Sequence, residues 1–161
     1  MHLKALGTTA ALLIVAAPLS AHERTAKAAT AAALPASVRP AAATVDAFHS
    51  AVRQGRERAA AALLADDALI FESGGAERSK AEYVAHHLGA DIEFERAVSS
   101  SLTRRTGRAD GASAWIASEG RTTGTYKGKA IDMLTTETMV LRRVGGAWKI
   151  VHIHWSSAAK R

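Results

Sequence analysis

Two hydrophobic periods divide this chain. Between residues 44 and 89 apolar side chains recur every three or four positions, the spacing of helices with one covered face. From residue 93 onward they alternate with polar ones over long runs, the spacing of strands. Thr44 can cap a helix that reaches Gln54, with Asp46 in its first turn, Val45, Phe48 and Val52 on one face, and Gly55 as its stop. A second helix over 56–65 turns Ala60, Leu63 and Leu64 inward, and Asp66-Asp67 leads into a short strand, 68–72, closed by Gly74-Gly75. Ser79-Lys80-Ala81-Glu82 has the spacing of a capping box. A third helix therefore starts there, carries Tyr83, Val84, His87 and Leu88, and ends near Gly89. Four strands follow, 93–106, 112–126, 130–144 and 147–156, with Asp110-Gly111, Lys127-Gly128 and Gly145-Gly146 at their corners. Helices first and a meander afterwards predict an α+β domain, its N-terminal helices packed in the concave face of a strongly curved antiparallel sheet.

The residues ahead of this domain read differently. Lys4, the apolar run 10–17, Pro18 and the small residues at 19–21 have the layout of a secretory signal. They predict export to the periplasm or beyond, with cleavage near residue 21 or after Ala26-Lys27-Ala28. The apolar run is too short for a membrane span, so no stable span is expected after cleavage. Residues 22–43, rich in alanine and interrupted by Pro35 and Pro40, read as a flexible linker, 44–157 as the domain and 158–161 as a basic tail. With no cysteine, disulfides, thiol nucleophiles and zinc–thiolate centres are excluded, and the fold must stand on its core alone. The formal charge of +6 comes from scattered side chains such as Arg53, Arg104 and Arg142, with no basic run or interleaved aromatics, which argues against nucleic acid as a partner.

The candidate chemistry gathers in the last hairpin. A two-residue turn at Gly145-Gly146 places Leu141 opposite Ile150, Met139 opposite His152 and Glu137 opposite His154. Those six side chains then share one face, and Thr138, Val140, Val151, Ile153 and Trp155 share the other. Two imidazoles and a carboxylate among aliphatic neighbours cost several kcal/mol if left unpaired, and a Glu137–His154 pair offsets much of that. Two readings stay open: a structural buried pair, or the lining of a cavity that meets a ligand. In the second, Glu137, His154 and His152 are the candidate catalytic residues, with Glu137 or His154 taking a proton and His152 or His87 polarising a carbonyl. Tyr83, His87, Glu72, Met139 and Trp148 are the candidate ligand contacts. His87, His152, His154 and Glu137 also carry atoms suited to a divalent metal, but no H-E-x-x-H and no i, i+4 histidine pair supports one, and no cofactor is predicted. Glu77 reads as a solvated loop charge, and Asp46 and His49 as surface residues. The face with Val140, Val151, Ile153 and Trp155 is expected to pack against a second copy of the chain.

The stretch Phe71-Glu72-Ser73-Gly74-Gly75, following two helices, and residues 136–157, TETMVLRRVGGAWKIVHIHWSS, resemble the SnoaL-like (nuclear transport factor 2-like) superfamily of small cone proteins. In that superfamily the ending G-x-W-[KR]-I-x-H-x-H-x-S is common. The resemblance covers about residues 44–157. It implies a cone enclosing a pocket, a homodimer through the outer sheet face, and relatives that include ketosteroid isomerase, polyketide cyclases, dehydratases and a kinase-association domain. The isomerase's pairing of tyrosine and aspartic acid has no evident counterpart, because neither Tyr83 nor Tyr126 has an acidic partner that the sequence places. The resemblance thus implies a pocket for a small organic ligand, or alternatively an acid–base enzyme acting on a small carbonyl or polyketide-like substrate.

Overall fold

Alanines that read as linker turn out to be the close-packed face of a helix. The computed structural model describes residues 33–160, and in it α1 runs Arg39–Arg53. Pro40 occupies the first turn, where its missing N–H leaves no bond unmade. Val38, Ala41 and Ala42 are buried, so the domain begins ahead of Thr44, inside the stretch expected to be a linker. The expected signal, 1–21, and the linker up to residue 32 lie outside the described residues.

The short helix α2 (Glu57–Leu63) passes straight into β1 (Leu64–Glu72), and β2 (Gly75–Glu77) folds back on it. Helix α3 (Lys80–His86) is capped as expected: Ser79 Oγ accepts from the Glu82 N–H at 3.1 Å. The chain bends at His87 and enters α4 (Leu88–Ala97), where the sequence pattern predicts strand from residue 93. The sequence Ile92-Glu93-Phe94-Glu95 alternates like a strand, but Leu88, Asp91, Ile92 and Glu95 hold the helical spacing that tertiary packing selects. Strands β3 (Val98–Asp110), β4 (Ser113–Tyr126), β5 (Lys129–Val144) and β6 (Ala147–Ala159) complete the domain. Ala158 and Ala159 therefore belong to the last strand and not to a tail.

The six strands form one sheet in the order β2-β1-β6-β5-β4-β3, antiparallel throughout except for the parallel pair β1–β6. Helix α1 lies against β4 and β6, where Val45, Phe48 and Val52 join Ile116, Met139, Leu141, Ile150 and Ile153 in the core. Curvature is built in at Gly120. There Leu102 pairs with Gly120 and Arg104 with Glu119, leaving Thr103 as an extra residue in β3. A Cβ on Gly120 would come within 2.9 Å of the Ser101 carbonyl, so only glycine lets the strands close this far. No helix among the described residues is long and apolar enough to cross a membrane.

The last hairpin departs from its expected register at one residue. Val144 pairs with Ala147 and Leu141 with Ile150, as the two-glycine turn requires. Val140 then pairs with His152, which leaves Val151 as a bulge, and from there Met139 faces Ile153 and Glu137 faces Trp155. The bulge exchanges the two faces of the strand's second half. A straight register would bury His152 and His154 and expose Ile153 and Trp155. The extra residue instead buries Ile153 completely and turns Trp155 onto Phe48 and Tyr83. Full burial of one isoleucine contributes about 2 kcal/mol, whereas two buried imidazoles would need partners that the core does not hold.

Candidate functional site

Register alone assembles the floor of a site. Glu72 pairs with Trp155, Trp155 with Glu137, Glu137 with Ser118, and Ser118 with Arg105, giving one residue from each of β1, β6, β5, β4 and β3 in a single row. All five face the concave side and line a cavity of about 850 Å³ roofed by α1, α3 and α4. A volume of that size accepts an ordinary small organic molecule.

At the middle of the row, Glu137 is buried, and its Oε2 accepts from His49 Nε2 at 2.8 Å and from Trp155 Nε1 at 2.8 Å. Burial alone would raise its pKa, but the hydrogen bond and charge of His49, the Trp155 N–H and the nearby Arg105 outweigh it and hold the carboxyl below its usual range. Oε1 finds no partner among the described residues. Arg105 is anchored beside it by Ser118 Oγ at 3.1 Å and Asp46 at 2.5 Å. His49 and Asp46, which the sequence offered as surface positions, thus belong to the site, carried there by α1.

At the β1 end stands a second group. Tyr83 is fully buried and its hydroxyl donates to Asp91 Oδ2 at 2.6 Å. His87 Nδ1 donates to Glu77 Oε1 at 2.7 Å, while its Nε2 faces Glu72 Oε2 at 3.2 Å and Asp91 Oδ1 at 3.4 Å. Burial pushes the Asp91 carboxyl up to about 6, more than the Tyr83 hydrogen bond and the His87 charge lower it. His87 is raised above its ordinary value: burial opposes this, but the Glu77 hydrogen bond and the charges of Asp91, Glu77 and Glu72 prevail. Tyr83 is raised as well, by burial first and then by Asp91. The tyrosine therefore has an acidic partner after all. It went unseen because the sequence ends the third helix near Gly89 and starts a strand at 93, leaving Asp91 between them, although Tyr83, His87 and Asp91 are spaced four apart.

The structure brings together Glu137, Glu72, Tyr83 and His87 from the expected set and separates the rest. The bulge at Val151 turns His152 and His154 to the outer face, where both rings meet Phe71 edge-on and His152 Nδ1 contacts the Leu69 carbonyl at 2.8 Å. They share no face with Glu137, and the metal set of His87, His152, His154 and Glu137 cannot converge. Met139 and Trp148 point inward but pack in the core instead of lining the cavity. The expected partner face is divided too: Ile153 and Trp155 lie inside, so Val140 is left outside in a row with Trp115 and His152.

Residues 41–160 match the family model of the SnoaL-like domain. A crystal structure from Shewanella frigidimarina, provisionally named a ketosteroid isomerase, is 36% identical, with 77% of this chain and 100% of that one covered and a TM-score of 0.73. A Xanthomonas campestris structure, provisionally named a calcium/calmodulin dependent protein kinase II association domain, is 28% identical over 81% of this chain and 96% of that one, with a TM-score of 0.65. A Streptomyces avermitilis structure of the NTF2-like family, provisionally named a dehydratase, shares the fold at 17% identity, covering 77% and 98% of the two chains with a TM-score of 0.62. No curated protein matches the chain.

Proposed function

Because the chain belongs to the SnoaL-like domain family, we propose that its cone cavity binds a small, partly apolar organic molecule and moves a proton on it. The observation that carries this reading is the row Glu72–Trp155–Glu137, which sets an ionised carboxylate and an acidic His–Tyr–Asp group on one cavity floor, two strand spacings apart. That separation is about 10 Å at the backbone, so a molecule of one or two rings can touch both ends. Glu137 is the base: two N–H donors hold its Oε2 and keep the carboxylate ionised in the cavity lining, where it takes a proton from carbon. His87 and the Tyr83–Asp91 couple form the electrophilic end, which polarises a carbonyl oxygen and supplies the proton that the oxygen gains. Isomerisation of an enone or elimination of water fits these roles. The names carried by the 36% identical Shewanella structure and by the Streptomyces structure are of the same kind.

The test is exchange of α-protons in D₂O, followed by proton NMR, over a panel of small cyclic ketones. Wild-type protein is expected to accelerate exchange for some members, and Glu137→Gln to lose at least about a hundredfold of that rate. Ketones that raise the melting temperature without any exchange would reduce the function to binding. Neither exchange nor a shift across the panel would end the reading.

Two further expectations belong to this proposal. Export is supported by Lys4, the apolar run and the small residues after it. Self-association through the outer face is supported by Trp115 and Phe71, each more than a third exposed beside Val140 and His154 on that side of the sheet.

A further inference from the structure

We propose that the electrophilic end of the cavity is a divalent metal site, with His87 Nε2, Glu72 Oε2 and Asp91 Oδ1 as its protein ligands. The inference deepens the proposed function, on which it rests for the ion's role but not for its binding. The three donors come from β1, the bend between α3 and α4, and α4, and lie within 4.8 Å of one another. Metal–ligand distances of about 2.0–2.2 Å at tetrahedral or octahedral angles require neighbouring donors about 2.9–3.5 Å apart. The separations of 3.2 Å for His87–Glu72 and 3.4 Å for His87–Asp91 fall inside that interval. They are long for hydrogen bonds between an imidazolium and a carboxylate, which close to about 2.7–2.9 Å. One Nε2 proton also cannot satisfy two carboxylates at once.

The groups behind these donors are arranged as metal sites arrange them. Glu77 takes the Nδ1 proton of His87 at 2.7 Å, which fixes the ring and leaves Nε2 facing the other two ligands. Tyr83 holds the far oxygen of Asp91 at 2.6 Å and turns the near one toward the same point. Charge agrees. In a chain of net charge +6, this corner gathers three carboxylates around one imidazole, and among the described residues none of them pairs with a lysine or arginine. One imidazole nitrogen with two carboxylate oxygens suits Mn²⁺, Fe²⁺, Co²⁺ or Zn²⁺, with positions left for a substrate oxygen or water. Bound there, the ion supplies the positive charge that polarises a carbonyl.

Full-length protein stripped with chelator and titrated with Mn²⁺, read by paramagnetic resonance and by thermal shift, tests this. One Mn²⁺ per chain is expected, with one imidazole nitrogen coupled to it. Glu72→Gln and His87→Gln should each weaken binding at least about tenfold, and Glu77→Gln about tenfold through the ring it orients. The outer-face double variant His152→Gln/His154→Gln should bind as wild type does. If His87→Gln does not fold, Glu72→Gln, whose side chain is a third exposed, and the nitrogen coupling decide. No binding up to about 1 mM, binding retained in Glu72→Gln, or binding lost in the outer-face double variant would each overturn the site. Ketone exchange measured on the stripped protein separates this outcome from failure of the function itself.

Discussion

Glu137 and Asp91 are both buried carboxyls in one cavity, yet their surroundings push them in opposite directions. Glu137 receives two N–H donors and a nearby guanidinium, so its pKa is lowered and it favours folding wherever it is ionised. Its contribution is complete above its unfolded value of 4.5 and is lost as pH falls through the lower folded value. Glu137→Gln should therefore cost about 1–3 kcal/mol at neutral pH in urea titrations, and the gap to wild type should close as pH drops below that point. Asp91 behaves inversely. Its carboxyl is raised from 3.8 to about 6, so keeping it ionised above that pH opposes folding. In chelator-treated protein Asp91→Asn is expected to be more stable than wild type at pH 8, by about 2–3 kcal/mol, with the advantage gone by pH 4. An Asp91→Asn variant no more stable than wild type at pH 8 would show that the acidic group carries no such strain. A destabilising group retained in a cavity is what a functional residue looks like.

At the scale of elements, one bulge decides which chemistry faces the cavity. Deleting Val151 would remove the bulge yet keep Val140 opposite His152 and Met139 opposite Ile153, so Ile153 and Trp155 stay inward and both imidazoles stay outside. A cost of no more than about 2 kcal/mol is expected, measured by chemical denaturation, since no large side chain changes face. A loss of about 4 kcal/mol or more would mean that the strand does not keep these faces without the bulge. The element types, their order and the two-glycine corner were legible in the sequence because each rests on local periodicity or turn chemistry. The register beyond Leu141 was not, because a bulge is chosen by the burial of Ile153 and Trp155 against helices distant in sequence. Helix α4 was hidden for a similar reason: Ile92-Glu93-Phe94-Glu95 serves either period, and only packing on α1 and β3 settles it. With α4 went Asp91. Without α1 resting on the sheet, nothing linked His49 to Glu137. Glu72, Tyr83, His87 and Glu137 were found because each adjoins a strong local signal.

For the whole molecule, the cone leaves two surfaces of different character. Its inside concentrates charged and polar groups around a cavity of about 850 Å³, while its outside sets Trp115, Val140, Phe71 and two imidazoles in adjacent rows. If the outer face joins two copies, light scattering should give twice the chain mass for wild type. Trp115→Glu should halve it while leaving the near-ultraviolet spectrum of the core intact. A wild-type protein that runs as a single chain at micromolar concentration would remove the dimer from the account. The cavity itself is probed most directly by crystallography after soaking with a cyclic enone. Density is expected on the concave face, with the carbonyl oxygen within hydrogen-bond reach of the His87–Asp91 end and ring carbon against Glu137. A cavity filled by the protein's own side chains, or an enone found only on the outer face, would contradict the account.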